Sequence, residues 1–288
     1  MLLCGHGTRD ADGVAAFETF ITALRECLPG RRIAHGFLEL SRPSFAEAVA
    51  ALYLDGVREI VALPVLLFNA GHAKRDLPTV LNRLQGRHEG LRIRMGRPLG
   101  LSAGVVETAG RLVTAALPNS QSLQDTALLV VGRGTSDPDA NGDVAKLARL
   151  VAEQLAMPFV HTAFIAVTSP SLAEGMALFK YLPFGRVVVL PTVLFDGVLH
   201  KRLVRLIENY RPVSLQKWHL ADPFATDTSW LCTFAERLAE VENGSAAMNC
   251  QLCNLRYTAL ASARTGGCCS GHHHAHSSGP LPALASLS

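Results

Sequence analysis

Aromatic side chains supply only 6% of the 288 residues, and Asp, Glu, Lys and Arg together only 18%. With 49% hydrophobic residues there is apolar surface enough to offset the entropy of ordering, which excludes a largely disordered chain. Neither sign of charge dominates. Lys and Arg number 27 against 24 Asp and Glu, a net charge of +3, which argues against a general nucleic-acid-binding surface. Long apolar runs are missing as well: those around residues 60–68 and 187–195 contain Pro64 and Pro191 and fall short of the roughly 18 to 20 residues of a membrane span. No positively charged leader precedes the first strand-like segment, so the expectation is a cytoplasmic protein with no membrane partner. A paired cysteine framework is also lacking. Seven is an odd number; Cys4, Cys27 and Cys232 are scattered, while Cys250, Cys253, Cys268 and Cys269 crowd the C-terminus, a distribution that suggests metal chemistry instead.

What is present is a repeat. Gly5-His6-Gly7-Thr8-Arg9-Asp10 lies over Gly132-Arg133-Gly134-Thr135-Ser136-Asp137 at an offset of 127. The same offset carries Pro43-Ser44-Phe45-Ala46-Glu47 onto Pro170-Ser171-Leu172-Ala173-Glu174, and Leu63-Pro64 onto Leu190-Pro191. Two copies of one fold are expected.

In each copy, short β-branched runs (residues 59–63 and 186–190) alternate with helical-period segments (residues 14–28, 45–54 and 143–155), which predicts α/β units with parallel sheets. Ser44 with Glu47, and Ser171 with Glu174, fit the capping box that opens a helix. The second strand of each copy is expected to end near Glu39 or Ala166. Ligand sites in such sheets gather beyond the carboxyl ends of the strands, here the loops at residues 5–13, 39–44 and 64–75. The expected organisation is a first unit over residues 1–117, a linker over 118–124, a second unit over 125–242 and a Cys/His-rich tail over 243–288.

The first copy places His6, Glu39 and His72 in those loops. Two imidazoles and a carboxylate suit a borderline divalent ion such as cobalt, nickel or ferrous iron, and equally suit proton removal near neutral pH. Each residue has a plainer reading: His6 as a turn histidine capping a helix, Glu39 as a surface acid, His72 as a solvated loop residue. The second copy has Arg133, Ala166 and Leu199 at the matching positions, with His200 displaced by one, so a single working site is expected. A nucleotide reading of Gly5 to Gly7 is weak, because Asp10 stands where the dinucleotide fingerprint needs its third glycine.

The run Gly5-His6-Gly7-Thr8-Arg9, the segment Phe37-Leu38-Glu39 before Pro43-Ser44, and Leu63-Pro64 leading to Gly71-His72-Ala73-Lys74-Arg75-Asp76 together resemble the sirohydrochlorin chelatases of the CbiX and SirB type, over about residues 1–242. The resemblance implies two Rossmann-like, class II chelatase domains whose parallel sheets face a central cleft. It also implies insertion of a divalent metal into sirohydrochlorin without ATP, with metal handling at His6, Glu39 and His72. A carboxylated tetrapyrrole would be met by Arg9, Arg42, Lys74 and Arg75, and across the cleft by Arg133, Lys201 and Arg202, although each alone reads as a solvated charge. Leu66, Leu67 and Phe68, mirrored by Val193, Leu194 and Phe195, either pack on the macrocycle or, the better expectation, belong to the core.

In the tail, Cys250, Cys253, Cys268 and Cys269 with His272, His273, His274 and His276 concentrate thiolates and imidazoles. They resemble the C-terminal extensions of some long cobaltochelatases, which favours cobalt. Iron and nickel stay open as the metal, as do an iron–sulfur cluster, zinc or stored cobalt in the tail. A non-catalytic metal store or carrier is the alternative of a different class. With two copies in one chain, either a monomer or a homodimer is expected.

Overall fold

Both central strands, β1 (Leu2–Gly5) and β5 (Thr126–Gly132), are buried along their whole length, as parallel strands covered on both faces must be. The computed structural model describes residues 1–118 and 123–247. After β1 the first repeat runs through α1 (Ala11–Cys27), β2 (Ala34–Phe37), α2 (Phe45–Leu54) and β3 (Glu59–Pro64). A π-helical turn (His72–Asp76) then leads into α3 (Leu77–Arg87), β4 (Arg92–Met95) and α4 (Ala103–Ala115). The second repeat follows β5 with α5 (Pro138–Gln154), β6 (Phe159–Phe164), α6 (Leu172–Phe179), β7 (Arg186–Pro191), α7 (Val198–Tyr210), β8 (Lys217–Leu220) and α8 (Cys232–Glu242).

The sheets are wholly parallel, in the orders β2-β1-β3-β4 and β6-β5-β7-β8. The registers of the first three strands match at the sequence offset: Gly5 pairs with Phe37 where Gly132 pairs with Phe164, and Cys4 with Pro64 where Val131 pairs with Pro191. Both expected capping boxes form, with the Ser44 and Ser171 hydroxyls each accepting from the backbone N–H of the glutamate three residues on and the serine N–H donating to that carboxylate in return. β2 and β6 end at Phe37 and Phe164, two residues before Glu39 and Ala166, so those two positions belong to the loops.

The space between the sheets is filled rather than open. α1, α4, α5 and α8 form an inner layer whose apolar faces merge with Leu3 and Leu63 of one sheet and Leu128, Val130 and Leu190 of the other in a single core. The outer faces carry separate cores, α2 and α3 on the first sheet and α6 and α7 on the second. A central cleft between sheet faces therefore gives way to a helical layer. The last helices are exchanged: α4 packs on β7 of the second repeat and α8 on β3 of the first. Ion pairs fix the exchange, Arg97 to Glu240 at 2.5 Å and Arg111 to Asp227 at 2.8 Å. Among the described residues no helix is long and apolar enough to cross a membrane.

Candidate functional site

His6 follows β1 directly, and the glycine after it explains how the loop closes. Gly7 has φ +94°, and a Cβ there would lie 1.8 Å from the Glu39 carbonyl oxygen, so only glycine lets the two loops touch. The contact is stitched by Glu39 N–H donating to His6 O at 3.1 Å. Ser41 Oγ accepts from Thr8 N–H at 2.9 Å and donates to Thr8 O at 2.7 Å. These bonds bring Glu39 Oε1 to 3.5 Å from His6 Nε2.

His72 arrives from the loop after β3. Leu77 N–H bonds to His72 O, five residues back, which makes this turn π-helical. The cause is local: Pro78 has no N–H to give to Lys74 O, and its ring crowds that carbonyl. Arg205 stands at the matching position of the second repeat, where α7 is regular from Val198 onward. The widened turn sets the His72 ring edge-on to His6, centroids 4.5 Å apart and planes at 77°. Turns of this kind are frequent at functional sites.

The hydrogen bonds define which nitrogens are free. His72 Nδ1 lies 2.8 Å from Asp76 Oδ2 and His6 Nδ1 3.1 Å from Gly7 O. Both oxygens only accept, so His72 Nδ1 donates to Asp76 and leaves its Nε2 to the site, whereas His6 has an acceptor at each ring nitrogen, Gly7 O at Nδ1 and Glu39 Oε1 3.5 Å from Nε2. Asp76 is held below the usual carboxylate range, first by its hydrogen bond from Arg75 and also by that from His72, against the opposing effect of burial. It stays an acceptor at neutral pH. The three side chains remain part-exposed, His6 28%, His72 37% and Glu39 55%. Among the described residues no group of three or more His, Cys, Asp or Glu is already drawn into a metal-holding cage, so the trio is an open set of donors.

The cations expected to line the site fare differently. Arg9, Arg133 and Arg202 are exposed. Arg42 is exposed and pairs with Glu47 at 2.6 Å, and Arg75 pairs with Asp76 at 2.8 Å. Lys74 and Lys201 are not free for an acidic ligand. Lys74 Nζ lies 2.7 Å from Asp137 and 3.0 Å from Asp139; Lys201 Nζ lies 2.8 Å from Asp10 and 2.6 Å from Asp12. Burial opposes the Lys74 charge, but the two aspartates outweigh it and raise its pKa above the usual lysine value. These pairs cross between repeats and obey the offset of 127 at every member, a signal present in the sequence that residue-by-residue reading of the loops missed. Asp76 was missed too, though its spacing of four from His72 suits a helical pair.

Leu67 and Leu194 are core residues, 6% and 8% exposed, and Phe68 and Phe195 pack against the same core. Leu66 packs against the outer core of the first sheet. The second copy of the trio is Arg133, Ala166 and Leu199. His200 does bond Asp196, at 3.0 Å through Nδ1, but its Nε2 is buried without a partner. The tail residues Cys250, Cys253, Cys268, Cys269, His272, His273, His274 and His276 lie outside the described residues.

The family model CbiX matches residues 1–116 and again 127–241. The chain is 31% identical over 259 residues to a sirohydrochlorin cobaltochelatase of Priestia megaterium, covering 89% of this chain and 84% of that protein. It is 31% identical over 205 residues to a sirohydrochlorin ferrochelatase of the same organism, covering 70% and 76%. In fold it is similar to the solved structure of SirB from Bacillus subtilis with Fe3+, with a TM-score of 0.76 at 24% identity over 86% of this chain and 98% of that one. With both repeats matched and one relative aligned along nearly the whole length, the chain belongs to the CbiX family, that of the CbiX/SirB-type sirohydrochlorin chelatases.

Proposed function

We propose that the protein inserts a divalent metal, cobalt, into sirohydrochlorin, and that the first repeat carries the chemistry. The observation that supports this most directly is the facing of His6 Nε2 and Glu39 Oε1 at 3.5 Å, beside the His72 ring. Two donors each about 2.1 Å from a tetrahedral ion lie about 3.4 Å apart, so this spacing suits a cation shared between them. It suits a proton equally. Insertion exchanges one divalent ion for two pyrrole protons, and the site offers the His6–Glu39 pair and His72 Nε2 as groups to receive them. Neutral imidazoles bind borderline ions without locking them in place, as transfer to the ring nitrogens requires. Arg9, Arg133 and Arg202 are the exposed cations left to meet the substrate carboxylates.

Cobalt is favoured over iron by the longer alignment with the cobaltochelatase. The Cys/His-rich tail serves in this reading as a metal store. The test is an anaerobic absorbance time course of sirohydrochlorin with cobalt(II), nickel(II) or iron(II), comparing wild type with a His6→Ala, His72→Ala variant. Acceleration by wild type alone, greatest with cobalt, is expected. No acceleration by either protein would replace the enzyme with a metal carrier, and a faster reaction with iron or nickel would change the metal.

A further inference from the structure

The two crossed lysine clusters are related by the repeat but differ in burial. Lys74 is 2% exposed, Asp137 12% and Asp139 4%, whereas Lys201 is 39% exposed and Asp12 71%. The buried cluster is the one attached to the π-helical turn that carries His72, and the solvated one is attached to the copy that has lost its histidine. π-helical turns are rare and confined to single turns; Pro78 widens this one, and Lys74 within it is gripped from outside by the second repeat. Here the holder is rigid. Asp137 caps α5, accepting from Asp139 N–H at 3.1 Å, and Asp139 sits in the first turn of that 17-residue helix. The positive end of the helix offsets the surplus negative charge of two carboxylates on one ammonium.

We propose that the second repeat, though it lacks the trio, is the clamp of the metal site: Asp137 and Asp139 grip Lys74 and so fix the turn that presents His72 to His6. Lys74, Asp137 and Asp139 are positioning residues. They touch neither metal nor tetrapyrrole and act through the placement of His72. The proposal rests on the metal-handling role of His72 given above. It also accounts for a division of labour in the duplication: one copy supplies donors and the other supplies the anchorage that keeps them in register.

The experiment is an equilibrium titration of the full chain with cobalt(II) alone, followed by the visible absorption of the bound ion, with KM for cobalt and kcat measured separately. A Lys74→Met, Asp137→Asn, Asp139→Asn variant removes the buried charges together, so none is left unpaired. It is expected to keep its far-ultraviolet circular dichroism while its cobalt affinity falls about tenfold or more, with an altered cobalt spectrum and a raised KM for cobalt. Lys201→Met breaks the exposed counterpart and should move cobalt affinity by about twofold at most. Should the triple variant not fold, Asp137→Asn alone leaves Lys74 paired with Asp139 and is expected to weaken cobalt binding severalfold. Wild-type cobalt affinity in a folded Lys74-cluster variant, or an equal loss in Lys201→Met, overturns the clamp. His72→Ala separates the two readings: if it loses cobalt and the cluster variants do not, the clamp alone fails, and if it binds like wild type, the site assignment fails and takes the clamp with it.

Discussion

Phe20 of the first repeat stacks on Trp230 of the second, ring centroids 5.3 Å apart and planes within 10° of parallel. Trp230 is 1% exposed, touches Phe234 as well, and has an indole N–H without a partner. Its contribution is therefore shape and apolar area. Trp230→Ala should destabilise by about 3–5 kcal/mol, whereas Trp230→Phe, which also removes a buried orphan donor, should cost about 1 kcal/mol or less. Urea midpoints of the two variants check this, and equal losses would show that the indole nitrogen matters.

Gly7 and Gly134 offer a matched pair. Their φ values are +94° and +84°, and a Cβ on either would meet the carbonyl of Glu39 or Ala166 within 2 Å. Alanine at each should cost about 2 kcal/mol or more through strain and displacement. Only Gly7→Ala moves a proposed metal donor, so only it should lower the rate of metal insertion in protein that is still folded. Comparable rate losses in both would detach the Gly7 loop from the chemistry.

Acid should open the molecule at its seams. Asp10 is held below its ordinary value chiefly by Lys201, and Glu240 chiefly by Arg97; at Asp227 burial works the other way but the Arg111 bond prevails. Carboxylates depressed in the folded state are protonated first in the unfolded one. Their stabilisation is present above the ordinary values of 3.8 for aspartate and 4.5 for glutamate, and is lost as the pH falls toward the lower folded values. Stability should be level from about pH 7 to about pH 5 and fall below about pH 4. The same denaturant midpoint at pH 3 and pH 6 would contradict this.

The tail should be dispensable for the reaction itself. Ser245 and Ala246 N–H groups close α8 on Glu240 O, so a chain ending at residue 247 keeps that cap. Such a chain should insert cobalt at the full rate when the metal is saturating and lag only at scarce metal. A loss of rate at saturation would make the tail part of the catalyst.

Much of this was readable in advance because the repeat doubles every signal. The capping boxes, the glycine turns and the ends of the first three strands appear twice at one offset, and local chemistry alone fixes each. His6, Glu39 and His72 were legible because loops at parallel strand ends must converge. The partners of Lys74 and Lys201 were not, since a lysine in such a loop looks alike whether it meets solvent or an aspartate from the other repeat. Nor was the filled space between the sheets: an amphipathic helix shows which face it buries, not which copy it buries it against. The π-helical turn hung on Pro78, whose missing N–H was visible in the sequence but whose consequence depends on the turn before it already being helical.

The exchange of α4 and α8 also sets an order of assembly during synthesis. The first sheet reaches its last strand long before α8 exists, yet Leu63 and its neighbours on the inner face are covered only when the chain has been made to residue 242. At roughly 5 to 20 residues per second, the 125 residues between positions 117 and 242 take about 6 to 25 s. For that interval the nascent first repeat exposes the apolar face that α8 will seal, a window in which chaperones, or aggregation, would find it.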